Sequence, residues 1–222
     1  MIDIEEGALK YGILLPILVC VGCSGYSVTG GPGKTIRPRF ESSVFNAEGL
    51  REINSLSVSP LVVEQGAAEA ISGSEDAMYD KLVNAIKTEM SIEAIPVRDT
   101  KKIIAESGMY PHAKWLAESA RMELDGMLVL RLHNYNLRKG SAVGADEGAS
   151  VGFLMSVYRV ADGKELWRGN YYFQDKALSE NIFRLSRSGE KGWVSAETLF
   201  EQGLQLAVRD FALKRVEAFS GK

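Results

Sequence analysis

The fold is decided by Val151-Gly-Phe-Leu-Met-Ser-Val-Tyr-Arg-Val-Ala-Asp-Gly-Lys-Glu-Leu-Trp-Arg-Gly-Asn-Tyr-Tyr-Phe-Gln174. Asp162-Gly163 lies between two runs rich in β-branched and aromatic residues, a pattern that favours two antiparallel strands joined by a two-residue hairpin turn. Alternation along each strand predicts one buried face, on which Gly169 leaves room for a large neighbour. The side chains expected on this face are Val151, Phe153, Met155, Val157, Trp167, Tyr171 and Phe173.

A third strand precedes this hairpin. The run from Gly126 to Leu132 is almost continuously apolar, which is typical of a strand buried on both faces. The glycine-rich stretch from Lys139 to Ser150 then predicts a mobile loop. Asp146 and Glu147 are neighbours in this loop, and we expect them to be solvated rather than to act as an acid–base pair. The three strands together form a predicted C-terminal meander.

Periodicity and capping residues predict the other elements. The long C-terminal helix has Ser195 as its N-cap and a broad apolar stripe that includes Val216. Pro60 should make the first strand irregular, because proline has no amide hydrogen to donate. In chain order, the predicted elements are a strand over 55–63, a helix over 72–90, a strand over 92–97, a brief helix from Asp99 or Thr100 to Gly108, a helix opened by Pro111 that carries Trp115, the meander, and a helix over 196–219.

This order predicts an α+β fold, an α/β sandwich in which helices pack on a mixed sheet. A resemblance to a known family is carried by Glu118-Ser-Ala-Arg-Met-Glu-Leu-Asp-Gly-Met-Leu-Val-Leu130, a helix that runs into a strand, and by Val157-Tyr-Arg-Val-Ala-Asp-Gly-Lys-Glu-Leu-Trp167. These stretches resemble the TolB N-terminal-like domain, whose family includes the lipoproteins CsgG and LpoB. The resemblance covers 55–213, although a threonine of the family's hairpin is absent. It implies the fold, whereas the function varies among proteins that share this fold.

A bacterial lipoprotein signal is indicated by Lys10-Tyr-Gly-Ile-Leu-Leu-Pro-Ile-Leu-Val-Cys-Val-Gly-Cys23. The apolar run from Tyr11 to Gly22 is too short for a membrane-spanning helix, which needs about 20 residues. Val21-Gly22-Cys23 resembles the end of a lipobox, and this resemblance implies that Cys23 is acylated and becomes the first mature residue. We therefore predict a signal peptide over 1–22 and contact with membrane lipid through Cys23. The alternative is an ordinary cleaved signal in which Cys23 has no role.

The residues on either side of this signal refine the prediction. Asp3, Glu5 and Glu6 stand where a signal is normally basic, so a translation start near Leu9 is an alternative to Met1. Ser24 follows the acceptor cysteine, which resembles lipoproteins that are sorted to the outer membrane. We therefore expect an outer-membrane anchor with the protein facing the periplasm.

A flexible, lipid-anchored linker is predicted over 23–54, because glycine, proline and serine are frequent there and apolar residues follow no period. The run Gly31-Pro-Gly-Lys-Thr35 does not match a phosphate loop, since Val28 occupies the position of the first glycine of that motif. A single globular domain is expected over 55–222.

Composition argues against several kinds of function. A formal net charge of −3 gives no reason to expect nucleic-acid binding. His112 and His133 are the only histidines and show no metal-ligand spacing, and both cysteines lie in the signal. No nucleophile-elbow motif occurs. We therefore expect no metal, no cofactor and no enzymatic activity.

Recognition of another molecule remains as the expected function. The segment from Asp175 to Val194 is longer than a strand-to-helix connection requires and combines apolar with basic residues, so we predict that it binds a protein partner. The alternative is that its apolar residues cap the core. We expect a protein-binding accessory or adaptor subunit of an envelope assembly or export system; the alternatives are a protomer of a CsgG-type oligomeric secretion channel and a carbohydrate- or lipid-binding module. The predicted partner-binding residues are Leu178, Ile182, Phe183, Arg184, Leu185 and Arg187.

Overall fold

The computed structural model describes residues 38–90, 92–97, 102–105, 112–140, 145–175 and 194–220. These residues belong to the second of two units into which the chain divides, residues 36–222. In chain order their elements are β1 (Arg39–Val44), α1 (Ala47–Arg51), β2 (Ser55–Val58), β3 (Leu61–Glu64), α2 (Gln65–Ala68), α3 (Glu75–Glu89), β4 (Glu93–Pro96), β5 (Lys102–Ala105), α4 (His112–Arg121), β6 (Gly126–Asn136), β7 (Lys139–Gly140), β8 (Ala145–Glu147), β9 (Ser150–Arg159), β10 (Glu165–Gln174) and α5 (Ala196–Ser220).

One mixed sheet organises the described residues. Strand β6 is central to it: β6 pairs antiparallel with β9 on one side and parallel with β2 and β3 on the other. Both β2 and β3 pair with β6, so they are two halves of one strand that is interrupted at Ser59-Pro60, as the proline predicts. Beyond β9 come β10 and then β1, both antiparallel, whereas β4 and β5 extend the sheet beyond β2 and β3.

The C-terminal meander is confirmed. Strands β9 and β10 are joined by a turn over 160–164, which is longer than the predicted two residues. Within it Gly163 adopts a φ of +68°, and the Arg159 amide donates to the Lys164 carbonyl at 2.8 Å. A Cβ atom at Gly169 would lie 2.6 Å from the Trp167 ring, so this glycine does leave room for a large neighbour. Six of the seven predicted inward side chains are fully buried and Phe173 is partly buried: the six are Val151, Phe153, Met155, Val157, Trp167 and Tyr171.

Helices cover both faces of the sheet, which confirms the α+β sandwich. The larger core lies on one face and takes side chains from α1, α3 and α5, with Leu50, Leu82 and Phe211 among the fully buried ones. The smaller core lies on the other face, where Trp115 of α4 packs with Val62, Met127 and Val129. The N-cap of α5 is also confirmed, because the Ser195 hydroxyl accepts the Thr198 amide at 3.1 Å.

The predicted linker is wrong for residues 39–54. Strand β1 pairs along its whole length with β10, and α1 begins at a cap in which the Asn46 side chain accepts the Gly49 amide at 2.9 Å. Leu50 and Ile53 are fully buried. The composition of this region does not predict strand β1. The strand is held by backbone pairing with a neighbour more than 120 residues away, and it buries no side chain fully.

Three local predictions also differ from the structure. The brief helix after Asp99 is wrong at residues 102–105, which form β5 because they pair in parallel with β3. The predicted loop over 139–150 contains two short strands, because β7 and β8 pair with each other at 139–140 and 145–147. Val216 is 61% exposed and does not belong to the buried stripe of α5. In each case a tertiary contact, or the lack of one, overrides a local pattern.

Candidate functional site

The predicted functional residues fall mostly outside the described ranges. Cys23 and residues 176–193, which include the whole predicted partner-binding set, are not described. The structure does describe the two ends of this segment. Asp175 is buried and its amide donates to the Ala149 carbonyl at 2.8 Å, while Val194 packs against the core. Acylation of Cys23 and partner binding by this segment therefore stay predictions.

The described residues form a different candidate site, on the sheet face opposite α5. Along β10, Tyr171 and Phe173 point into the core beneath α5, so Asn170 and Tyr172 point to the other face. There they line a shallow pocket of about 260 Å³ together with Arg39, Glu41 and His133. We call this set the sheet-face pocket.

Four adjacent strands, β1, β10, β9 and β6, position the residues of this pocket. In the β1–β10 ladder, Arg39 lies opposite Tyr172 and Glu41 lies opposite Asn170. In the next ladder, Tyr172 lies opposite Gly152 of β9. An irregularity in the pairing of β6 between Leu132 and Asn134 shifts the register at His133. The imidazole of His133 therefore lies over the same face as the Tyr172 ring.

Gly152 lies against two of the side chains that line the sheet-face pocket, those of His133 and Tyr172. A Cβ atom at this position would lie 2.6 Å from His133 Nε2 and 3.0 Å from Tyr172 Cδ2. Any larger residue would push the two rings apart or fill the space between them. The absence of a side chain at Gly152 thus lets the His133 and Tyr172 side chains lie close to this strand.

The charges around the pocket are matched. Arg39 Nη2 lies 2.9 Å from Glu41 Oε1, and Arg131 Nε lies 3.0 Å from Glu64 Oε1. Burial lowers the pKa of His133 below its usual value of 6.5, a shift that Glu64 opposes and Arg131 reinforces. Burial therefore favours the neutral imidazole of His133, in which one ring nitrogen donates and the other accepts.

A second surface is formed by apolar side chains on α5. Leu213 and Val216 are each 61% exposed and Phe219 is 53% exposed. The Arg215 guanidinium lies 5.7 Å from the centre of the Phe219 ring. We call these residues the exposed α5 stripe. An apolar surface of this kind is a feature of binding sites for other proteins.

In the described part of the chain, no three His, Cys, Asp or Glu side chains come together to hold a metal ion. Within the same ranges, no helix combines the length and the apolar composition needed to cross a bilayer.

Sequence reasoning missed the sheet-face pocket for identifiable reasons. Arg39 and Glu41 belong to the predicted linker, and His133 shows no metal-ligand spacing and follows the apolar run of the predicted strand. The sequence pattern that indicates this side of the sheet lies on β10. There Arg168, Asn170 and Tyr172 alternate with the predicted core residues, so their side chains point to the face opposite the core.

No protein-family model and no curated protein matches the chain. Several solved structures superpose on the chain. PelC from Paraburkholderia phytofirmans, described as a dodecamer, superposes with a TM-score of 0.51 at 11% identity, over 79% of this chain and 98% of that chain. A lipoprotein from Neisseria meningitidis gives 0.39 at 10% identity, over 60% and 99%. The LpoB C-terminal domain from Salmonella enterica gives 0.27 at 12% identity, over 55% and 84%. The likeness to PelC shows a shared fold.

Proposed function

We propose that this protein is an outer-membrane-anchored periplasmic lipoprotein that acts as a protein-binding accessory or adaptor subunit of an envelope assembly or export system. The observation that carries the proposal is the combination of a lipobox-like Val21-Gly22-Cys23 with a domain that has the fold of PelC. In this account the protein binds another protein and catalyses no reaction.

The anchor is supported by the order of the N-terminal residues. Lys10 is followed by an apolar run that ends in a small residue and Cys23. An acyl chain at Cys23 together with a second chain would hold the protein stably at a bilayer, because a single chain gives only marginal binding. Ser24 supports sorting to the outer membrane.

Protein binding is supported by the exposed α5 stripe. Leu213, Val216 and Phe219 lie on the C-terminal half of one helix and expose more than half of their surface. Burying such side chains against a partner releases about 25 cal/mol for each Å² of apolar surface removed from water. A helix with a second apolar face is therefore suited to bind on both sides, with the core on one and a partner on the other.

Metabolic labelling tests the anchor. In cells given labelled palmitate, the full chain should incorporate label and Cys23→Ser should not. Cys20→Ser is the matched control, because it removes the other thiol of the same signal and should stay labelled. Label in Cys23→Ser, or recovery of the wild type in the inner-membrane fraction of a density gradient, would overturn the anchor as proposed.

A homo-oligomeric channel subunit of CsgG type is the second candidate. It is favoured by the PelC structure, which shares the fold and is described as a dodecamer. The size of the full chain in detergent separates the two candidates. An adaptor is expected as a monomer or small oligomer, whereas a ring of many subunits in electron micrographs would favour the channel.

A further inference from the structure

The sheet-face pocket goes beyond the proposed function, because neither an acyl anchor nor a protein-binding helix uses it. The pocket combines one open aromatic ring with side chains that both donate and accept hydrogen bonds. We infer that it binds one pyranose ring of an uncharged oligosaccharide.

The ion pair at one wall of the pocket matches a pair of neighbouring hydroxyl groups. Arg39 Nε donates to Glu41 Oε1 at 2.9 Å, so a guanidinium and a carboxylate lie side by side at the surface. A sugar hydroxyl both donates and accepts. One hydroxyl can accept a hydrogen bond from Arg39 while its neighbour donates one to Glu41. The ion pair between Arg39 and Glu41 can stay intact when the sugar binds. The amide of Asn170, which is exposed beside this pair, adds one more donor and one more acceptor.

Tyr172 supplies the apolar surface that a pyranose needs for its C–H face. Its side chain is 40% exposed, and its hydroxyl donates to Gln174 Oε1 at 3.2 Å, which fixes the polar end of the ring. An aromatic ring with an anchored hydroxyl offers a large contact area at low cost in conformational entropy. Gly152 beside it leaves room at the Cδ2 edge of this ring, where a Cβ atom would lie 3.0 Å away.

His133 closes the opposite side of the pocket. Its Nε2 lies above Gly152, on the same face as Tyr172. Burial favours the neutral imidazole, which has one hydrogen-bond donor and one acceptor. The ring can therefore either donate to a sugar hydroxyl or accept from one.

Other ligand classes fit this pocket less well. An anion needs an uncompensated cation, but Arg39 is paired with Glu41 and Arg131 is paired with Glu64. A lipid chain needs an apolar lining, but four of the five lining side chains are polar or charged. An uncharged ligand rich in hydroxyl groups needs neither an uncompensated cation nor an apolar lining. Because the pocket is shallow, we expect a dissociation constant on the order of 1 mM for a short oligosaccharide.

The two histidines of the chain make the test specific. Histidine-selective isotope labelling yields two imidazole signals, from His133 in the pocket and from His112. His112 is the internal control, because it packs against Tyr158 with ring centres 4.4 Å apart and does not line the pocket. The full acylated chain should be purified without a histidine tag, in a detergent that has no sugar headgroup.

The probes are trisaccharides of glucose, of galactose and of N-acetylglucosamine, each titrated to about 50 mM, which is far above the expected dissociation constant. At least one of them should shift the His133 signal in a saturable way while the His112 signal stays fixed. Tyr172→Ala should weaken that binding by about tenfold or more, whereas Tyr172→Phe keeps the ring and should stay within about threefold. Since Tyr172 is partly exposed, neither variant should lower the thermal midpoint by more than about 2 °C.

Several results would overturn this inference. They are a His133 signal unmoved by all three probes, equal shifts of both histidines, or the same affinity in Tyr172→Ala as in the wild type. Displacement of the sugar by inorganic phosphate or glucuronate at lower concentrations would mean that the pocket selects anions, which also contradicts it. The palmitate and size measurements would be unaffected by any of these results.

Discussion

The indole Nε1 of Trp167 donates a hydrogen bond to Asp210 Oδ2 at 3.1 Å, and this bond joins β10 to α5. The Trp167 ring is fully buried and lies 5.3 Å from the ring centre of Phe211, the next residue of the helix. The outermost long strand of the meander is thus held to the C-terminal helix by one side chain that provides both an apolar contact and a polar one.

Replacing this side chain should destabilise the domain strongly. Trp167→Ala should cost about 3 to 5 kcal/mol, because it leaves a cavity between β10 and α5 and an unpaired Asp210. Trp167→Phe keeps a ring in the cavity and should cost less. Urea unfolding followed by circular dichroism measures both. A thermal midpoint lowered by only a degree or two in Trp167→Ala would contradict the burial of this ring.

Two glycines in helices should respond oppositely to the same substitution. A Cβ atom at Gly203 of α5 would lie 2.6 Å from the Tyr171 ring and 2.7 Å from the Phe153 ring, whereas nothing lies within 4 Å of one at Gly66 of α2. Gly203→Ala should therefore cost about 1 to 3 kcal/mol, because the rings must move. Gly66→Ala should be neutral or stabilising by up to about 1 kcal/mol, since alanine favours helices. Equal midpoints in urea for the two variants would refute the close packing of α5 on the meander.

The stability of the protein should fall on mild acidification. Burial lowers the pKa of His133 and of His112 below 6.5 in the folded state. The unfolded chain then binds more protons, so their contribution is fully present above pH 6.5 and is lost as the pH falls through 6.5 toward the folded pKa.

His133→Gln isolates one of these contributions. Between about pH 8 and pH 5 the loss of stability should be smaller in His133→Gln than in the wild type, as measured by the urea midpoint. A steeper loss in the variant would mean that the folded state stabilises the charged imidazole.

The sequence predicts those parts of the fold whose signal is local. Asp162-Gly163 predicts the β9–β10 hairpin because these two residue types favour a turn by themselves. The apolar run from Gly126 predicts β6 because a strand that is buried on both faces has consecutive apolar residues. Strand β1 has no such signal, since it exists through its pairing with β10.

The sheet-face pocket was unpredictable for the same reason. Arg39, Gly152, His133 and Tyr172 come from four strands, and only the ladder register brings them together. A glycine that makes room for two rings from other strands looks, in the sequence, like any glycine in a strand.

The central claim is that this protein binds an envelope protein, and cross-linking in intact cells tests it most directly. The tagged full chain would be recovered from membranes and the cross-linked proteins quantified by mass spectrometry. The wild type would be compared with two double variants, Ile182→Ser with Phe183→Ser in the predicted binding segment and Leu213→Ser with Val216→Ser in the exposed α5 stripe. The account predicts that one envelope protein is enriched with the wild type and lost from at least one of the variants, while the thermal midpoint of that variant stays within about 2 °C. Recovery of the same proteins with all three chains, or of copies of this chain alone, would contradict it.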